Sequence, residues 1–290
     1  MIRRTTMAAV LLATTTIAAP ALAQDGPAPG ELTADGFDRA SHFDGPYIAG
    51  FGGYSIPKSG RGDTIIFDRN GDGTFGDQVS TQGGADAFSP GFCNGYFTST
   101  ANNSCRDDRA REEYGARIGY DRRMGNIVFG GLLEVNRSPA TDATSAFSIT
   151  PAAYQITRRL DYGISARARL GFTPGGGALF YATGGATYAR IDHDFQTTNT
   201  ANSFTPNRDS KMQWGWQAGG GAEVMVTNNI SLGLEYLHTR ITDDDYTVTV
   251  GQGTALPTNP FVLNGGGTEL RNSEKFFTTN TFRAVVGLRF

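Results

Sequence analysis

The sequence is poor in the residues that most catalytic and metal centres use. Among 290 residues it has only two cysteines and three histidines. None of His42, His193 and His238 lies in a Ser/His/Asp spacing or a metal-ligand spacing, so we do not expect an enzyme. The formal net charge is only −3 at pH 7, which argues against nucleic acid as a partner.

Long hydrophobic runs are also missing. Beyond the amino-terminal segment no stretch of eighteen apolar residues occurs, which excludes spanning helices. Near the amino-terminus two arginines precede an apolar run over residues 7–19, and Ala-Leu-Ala at 21–23 offers a cleavage site. We therefore expect residues 1–23 to be a secretory signal peptide. Residues 24–42 are rich in proline, glycine and aspartate without periodicity, which predicts a flexible leader.

What the sequence does contain is period-two alternation. Residues 160–172 place Leu, Tyr, Ile, Ala, Ala, Leu and Phe at even positions, with Asp, Gly, Ser, Arg, Arg and Gly at odd positions. A helix turns by about 100° per residue and would mix these two sets, so the segment is predicted to be a strand. Similar alternation predicts further strands near 43–53, 113–121, 127–135, 180–188, 214–226, 230–236 and 282–290.

The connections between these strands alternate in length. Tight turns are expected at 123–126, 174–177 and 227–229, and the second of them is glycine-rich. The other connections are long and polar, at 55–111, 138–157, 194–210 and 243–276. All the short turns therefore lie at one end of the sheet and all the long connections at the other, with both chain ends on the side of the short turns.

The segment 282–290, Phe-Arg-Ala-Val-Val-Gly-Leu-Arg-Phe, resembles the closing strand of Gram-negative outer-membrane β-barrels. The hairpin WGWQAGGGAEVMV-TNN-ISLGLEYLHTR is similar to those of small OmpA/OmpX-like, porin-family barrels common in alphaproteobacteria. This resemblance implies an all-β fold over residues 43–290. That fold is an eight-stranded antiparallel up-and-down transmembrane β-barrel with short periplasmic turns and long outer loops.

The resemblance also implies a location and partners. The protein would reside in the cell outer membrane and contact its lipid, with the leader 24–42 on the periplasmic side. The barrel-assembly machinery would recognise the apolar alternate positions of the last strand, which are Phe282, Val286, Leu288 and Phe290.

The opposite parity carries charge of both signs. Its members would face the interior, and they are Arg117, Arg167, Arg169, Arg283, Arg289, Asp121, Glu134, Asp161, Glu223 and Glu235. Eight strands enclose an interior just wide enough for side chains. Balanced charges there predict a paired network, whereas a selective pore more often carries a ring of one sign. Pairing is expected for the mid-strand residues Glu134, Arg167, Glu223 and Glu235, whereas solvation at a barrel mouth is expected for Arg289, Asp121 and Asp161, which lie near strand ends.

The predicted function follows from this interior. We expect a non-enzymatic outer-membrane barrel that contributes to envelope integrity or to surface interaction. The alternative is a small porin that passes ions or small solutes, because the abundant inward glycines leave room for water. The sequence does not identify a surface partner.

The first long connection, 55–111, contains two candidate constraints. Asp68, Asn70 and Asp72, followed by Gly73, match the start of an EF-hand-type calcium loop. The expected glutamate is missing, since its position is Val79, and Asp77 would have to act with a different geometry. Asp, Asn and Gly also form plain turns, so calcium and a simple turn stay as alternatives. Export to an oxidising compartment predicts a disulfide between Cys93 and Cys105.

Overall fold

The computed structural model describes residues 42–58, 62–175, 177–263, 265 and 267–290. The expected signal peptide (1–23) and all but the last residue of the expected leader (24–42) lie outside these residues. Within the described part, no helix is long and apolar enough to cross a membrane. The described residues contain sixteen strands: β1 (Gly45–Pro57), β2 (Ile65–Asp68), β3 (Phe92–Asn94), β4 (Tyr96–Phe97), β5 (Cys105–Arg106), β6 (Arg111–Met124), β7 (Ile127–Arg137), β8 (Thr141–Ser148), β9 (Ala152–Phe172), β10 (Ala178–Thr197), β11 (Ser203–Pro206), β12 (Ser210–Met225), β13 (Ile230–Thr242), β14 (Val248–Gly251), β15 (Thr268–Asn272) and β16 (Phe276–Arg289).

Eight of these strands form a closed barrel. In the order β1, β6, β7, β9, β10, β12, β13 and β16, each strand pairs antiparallel with the next. The last strand returns to the first, with Phe282 of β16 opposite Tyr54 of β1. This closure confirms the predicted eight-stranded antiparallel up-and-down barrel.

The side chains of the barrel strands alternate between its two faces. On β9, Ile164, Ala166 and Leu170 are exposed on the outside, whereas Ser165 and Arg167 are buried inside. Exposed aromatic rings lie toward both ends of the apolar wall. Those nearer the long connections are Tyr54, Tyr114, Tyr162, Trp214, Trp216, Tyr236 and Phe282. Those nearer the short turns are Tyr120, Phe129, Phe172 and Phe180. Such aromatic belts are typical of the two interfaces of a membrane.

Strand β1 turns its aromatic face inward. The sequence places Tyr47, Ala49 and Phe51 on one face, and hydrophobicity alone would direct that face toward lipid. In the structure these three residues are buried, and Ile48 and Gly50 face outward instead. Guanidinium groups inside the barrel explain the difference, because they pack on the aromatic rings of this face.

The long connections form a second structured region rather than irregular loops. Strand β8 lies within the segment 138–157 that was expected to be a loop, and β9 and β10 extend well beyond the barrel wall to pair with each other and with β8. A separate four-stranded sheet, in the order β11, β14, β15, β2, packs against this extension. We call the two together, with β3, β4 and β5, the outer layer. Apart from the extensions of β9 and β10, its strands have two to eight residues and are too short to give a clear periodicity in the sequence.

The outer layer has its own apolar core between its two sheets. The buried members are Ile65, Phe67, Val79, Ala87, Phe88, Ala146, Ala152, Tyr154, Ile156, Tyr246, Val248, Val250, Phe261 and Leu270. Their rings pack closely, with the centroids of Phe67 and Phe88 4.5 Å apart and those of Tyr154 and Phe261 5.7 Å apart. The barrel is therefore covered at its outer end by a folded region rather than by open loops.

Candidate functional site

The barrel interior is filled by successive layers of side chains. The layer nearest the short turns contains two arginines and two acids. Arg169 donates to Asp121 and, at 3.0 Å, to Glu223. Arg289 donates from Nη1 to Asp121 Oδ2 at 2.9 Å and from Nη2 to Glu223 Oε1 at 2.7 Å. The Ser231 hydroxyl also donates to Glu223 Oε1, at 2.6 Å. Each acid thus lies between the same two arginines, and the layer is neutral.

A second charged layer lies near the middle of the barrel and contains three arginines and three glutamates. Glu235 accepts from all three arginines: from Arg117 Nη1 at 2.8 Å, from Arg167 Nη1 at 3.3 Å and from Arg283 Nε at 2.9 Å. The Tyr181 hydroxyl donates to the same carboxylate at 2.7 Å. Glu235, only 2% exposed, is therefore the most highly shared acid of this layer.

The other two glutamates complete the middle layer. Arg283 donates from Nη1 to Glu134 Oε1 at 2.9 Å and to Glu113 Oε1 at 3.0 Å. Arg167 Nη2 donates to Glu134 Oε2 at 2.6 Å. A carboxylate and a guanidinium lose their water here, and each regains several charge-assisted hydrogen bonds.

Aromatic rings stack on the faces of the arginine guanidinium groups, whereas the acids contact the N–H groups at their edges. Arg283 lies 4.2 Å from the ring centroid of Phe51, and Arg289 lies 4.6 Å from that of Phe43. Arg169 lies between two tyrosines, 5.0 Å from Tyr47 and 4.7 Å from Tyr181. These cation–π contacts account for the inward aromatic face of β1.

Hydroxyl groups and then apolar side chains close the interior above the charged layers. Thr281 Oγ1 donates to Glu113 Oε2 at 3.2 Å, and the Ser165 and Thr187 hydroxyls are 3.0 Å apart. Beyond them lies a fully apolar cluster of buried residues from β9, β10, β13 and β16: Leu160, Ala189, Ile191, Ile241 and Phe277.

A last buried charged group lies between this apolar cluster and the apolar core of the outer layer. Arg158 donates from Nε to Asp142 Oδ2 at 2.9 Å, and its Nη1 is 3.8 Å from Asp243. His193 Nε2 is 2.9 Å from Asp243 Oδ1, and its ring stacks on Tyr246 with centroids 4.4 Å apart. The interior is thus occupied from the short turns up to the core of the outer layer.

The structure brings together most of the charged residues that the alternation selected. Arg289 and Asp121, near strand ends, belong to the buried layer and are not solvated. Asp161 differs, because it lies beside the exposed Arg137 at 3.5 Å and not in the interior. Glu113 was not singled out as part of the network, although it shares the parity of Arg117 on β6 and could have been included for that reason.

The acidic motif of the first long connection forms a turn. The Asp68 carboxylate is 1% exposed and accepts from the backbone N–H groups of Gly71 at 2.8 Å and Gly73 at 2.7 Å. The backbone N–H of Thr74 and the side chain of Asn70 lower the pKa of Asp72. Asp77 accepts from the Arg69 N–H at 2.9 Å. Among the described residues no group of three or more His, Cys, Asp or Glu side chains could hold a metal ion. Calcium at Asp68, Asn70, Asp72 and Asp77 stays a prediction.

Two other predicted features have clear positions. Cys93 of β3 and Cys105 of β5 form the predicted disulfide, which is therefore confirmed. The four residues of the expected assembly signal are all exposed on the outward face of β16 or directly after it: Phe282, Val286, Leu288 and Phe290. Their recognition by an assembly machinery stays a prediction.

Comparison with known proteins agrees with this architecture. The family model described as "Outer membrane protein beta-barrel domain" matches residues 9–290. The 31 kDa outer-membrane immunogenic protein of Brucella melitensis is 30% identical over 126 residues, which are 43% of this chain and 52% of that protein. The 22 kDa outer membrane protein of Rhizobium leguminosarum is 27% identical over 146 residues, 50% of this chain and 60% of that protein. The chain thus aligns with little more than half the length of these relatives.

Among solved structures, the chain is similar to two small outer-membrane proteins. OprG of Pseudomonas aeruginosa aligns with a TM-score of 0.46 and 12% identity, over 84% of this chain and 97% of that one. Neisserial surface protein A aligns with a TM-score of 0.34 and 13% identity, again over 84% and 97%. Because the family match covers nearly the whole chain, the protein belongs to the outer membrane protein β-barrel family and resides in the cell outer membrane, as its sequence predicts.

Proposed function

We propose that this protein is a non-enzymatic, closed barrel that contributes to envelope integrity and presents its outer layer for surface interaction. The filled interior carries the proposal. Two layers of paired arginines and acids, each without net charge, are followed along the barrel axis by a hydroxyl layer and an apolar cluster. The outer layer covers the outer end of the barrel. A solute would have to displace all of them to pass.

The energetics of the charged layers support a closed state. Charges removed from water are costly unless they are paired and hydrogen-bonded. Opening a path would separate Glu235 from its three arginines, and several side chains would lose their partners together. An open conformation would therefore be unfavourable unless water entered to solvate every group.

The buried His193–Asp243 pair supports a structural role for the histidine rather than catalysis. The side chain of His193 is fully buried, and Arg158 also contacts Asp243. A general base must reach the proton that it abstracts. This pair lies beneath the apolar core of the outer layer, where its contacts link β9, β10 and the segment after β13.

Single-channel recording in planar bilayers tests the closed barrel. We expect the folded protein to give no stepwise conductance above the bare bilayer. Three variants serve as controls. The double variant Glu235→Ala/Arg283→Ala removes side chains of the middle layer, and the double variant Ile241→Ala/Phe277→Ala removes side chains of the apolar cluster. The third variant combines all four substitutions. All three are expected to remain closed, because the layer of Arg169 and Arg289 still fills the barrel and the outer layer still covers its end. Steady conductance by the unaltered protein would contradict the proposal and favour a small porin.

Envelope integrity is tested in cells. Cells that lack the protein are expected to admit more of a large hydrophobic dye, and expression of the unaltered protein is expected to restore the barrier. Restoration by the barrel after replacement of the 247–271 segment with a short linker would assign the effect to the barrel. Failure of that form, at an equal folded level, would assign it to the outer layer. Unchanged dye entry in cells without the protein would contradict a role in integrity.

A further inference from the structure

A β-bulge interrupts the wall of the barrel just above its outer aromatic belt. Gly163 of β9 pairs with Ala189 of β10, but the next regular pair joins Leu160 to Ile191. Asp161 and Tyr162 therefore lie together opposite the single residue Arg190. Bulges of this kind redirect side chains and are common beside functional sites.

Three arginines surround this bulge on the outward face, and we call Arg137, Arg159 and Arg190 the arginine cluster. Arg137 of β7 pairs directly with Tyr162. Arg190 follows Tyr188 by two positions on β10, and Tyr188 packs on the belt residue Trp214, so Arg190 shares the outward face. Arg159 pairs with Asp192, which has the same parity as Arg190.

Two carboxylates, which are less exposed than the arginines, contact these side chains on the side facing the protein. Asp192 accepts from Arg159 Nη2 at 2.6 Å through one oxygen and from Arg190 Nε at 2.9 Å through the other. Asp161 lies 3.5 Å from Arg137 Nε. The arginine side chains are 60%, 52% and 41% exposed, whereas those of Asp161 and Asp192 are 24% and 19% exposed. The guanidinium groups therefore point outward from the carboxylates, and the group keeps a net positive charge.

The position of the cluster indicates what reaches it. Its neighbours are the exposed belt ring of Tyr162 and the half-buried ring of Tyr188, which packs on the belt residue Trp214 with centroids 4.7 Å apart. Residues directly above such a belt, on the outward face of the wall, lie at the depth of the lipid headgroups. Guanidinium groups bind phosphate through paired hydrogen bonds, and exposed ion pairs with carboxylates are weak enough to share their donors.

We propose that the arginine cluster binds the phosphate group of a phosphorylated glycolipid in the outer leaflet of the outer membrane. Asp192 is a positioning residue, since one carboxylate aligns two of the three guanidinium groups. This inference assigns a lipid ligand to the barrel proposed above. It rests on the proposed function only in requiring that the barrel lies in the outer membrane.

Native mass spectrometry of the folded protein, released from non-ionic detergent, tests this site. The probes are bisphosphorylated lipid A, the same lipid without its phosphates, and inorganic phosphate as a competitor. The test variant is Arg137→Gln/Arg159→Gln/Arg190→Gln. The matched control, Arg106→Gln/Arg109→Gln/Arg122→Gln, removes the same charge from the outer layer and from the opposite end of the barrel.

We expect the unaltered protein and the control to retain the bisphosphorylated lipid with equal affinity, and the test variant to bind it about tenfold more weakly or worse. Should the triple variant not fold, Arg190→Gln and Asp192→Asn replace it. Both should weaken binding, because the first removes a guanidinium group and the second removes the carboxylate that aligns Arg159 and Arg190. Tighter binding by Asp192→Asn, which raises the net positive charge of the group, would contradict the positioning role.

Three results would overturn the site. Equal affinity of the test variant and the unaltered protein would show that the cluster is not used. Equal binding of the lipid without phosphates would assign the contact to acyl chains alone. Displacement of the lipid by an equimolar amount of inorganic phosphate would make the free anion the ligand. Each of these results leaves the conductance experiment unaffected, so failure of the site is distinguishable from failure of the closed barrel.

Discussion

At the scale of single residues, the interior is organised by shared acids rather than by separate ion pairs. Glu235 forms ion pairs with Arg117, Arg167 and Arg283, and Glu223 forms ion pairs with Arg169 and Arg289. An acid that neutralises several cations cannot be removed without leaving more than one of them partly unpaired. The barrel should therefore be much more sensitive to loss of a buried acid than to loss of an exposed one.

Glu235→Gln tests this sensitivity. We expect it to lower the free energy of unfolding by about 3–5 kcal/mol, since a neutral amide leaves buried guanidinium groups uncompensated. Urea unfolding in lipid vesicles, followed by tryptophan fluorescence, gives the measurement. Glu112→Gln is the control, because Glu112 is exposed on the outward face and contacts the Tyr54 hydroxyl at 3.2 Å. Equal losses for the two variants would contradict the network.

The calcium prediction is also decided at single residues. Because Asp68 already accepts two backbone N–H groups, Asp68→Ala should loosen the 68–77 turn whether or not calcium binds. Asp72 is exposed and forms only local contacts, so Asp72→Ala should matter mainly if calcium binds. We expect chelation to speed proteolysis of this turn in the unaltered protein and not in Asp72→Ala. Equal cleavage with and without chelator in the unaltered protein would leave the motif as a plain turn.

At the scale of elements, β9 has two parts with different environments. Below the bulge it alternates strictly between lipid and the interior, and above it residues 152–156 are all buried between neighbouring strands and the core of the outer layer. One strand therefore shows both the two-fold pattern of a half-exposed wall and the continuous burial of a covered sheet.

Ala166→Arg tests the lipid contact of the lower part. Ala166 is exposed on the outward face in mid-wall, where an arginine costs about 2–4 kcal/mol at the bilayer midplane. Ala101→Arg, in an exposed turn of the outer layer, should be close to neutral. The folded yield in vesicles, measured by the shift in gel mobility on heating, checks both. Equal yields would show that residue 166 does not meet lipid.

At the scale of the whole molecule, the barrel and the outer layer depend on different forces. The backbone of the barrel is held in lipid, where an unpaired N–H or C=O group is costly, and its interior is ionic. The outer layer is held by an apolar core and by the Cys93–Cys105 disulfide. We therefore expect the outer layer to be the less stable part.

Two-probe denaturation checks this expectation. Both tryptophans, Trp214 and Trp216, lie in the aromatic belt of the barrel, so their fluorescence reports on the barrel. Near-UV circular dichroism also detects the aromatic core of the outer layer. We expect the dichroism to change at lower urea than the fluorescence, and reduction of the disulfide to move only the first transition. A single transition seen by both probes, shifted as a whole by reduction, would show one cooperative unit.

The sequence alone was sufficient for the wall of the barrel. A strand that faces lipid on one side must alternate at every residue, and this local rule is visible in segments such as 160–172 and 282–290. The disulfide was also predictable from the sequence, because a secreted chain with two cysteines has only one possible intramolecular pairing.

Only the tertiary structure decided the rest. Which arginine meets which acid depends on the stagger at which distant strands close, as when Arg117 and Glu235 meet across the barrel. The inward turn of Tyr47 and Phe51 depends on guanidinium groups from β9 and β16. The outer layer escaped detection because strands as short as β2 and β14 are stabilised by packing between remote segments, and periodicity over four residues is too short to reveal it.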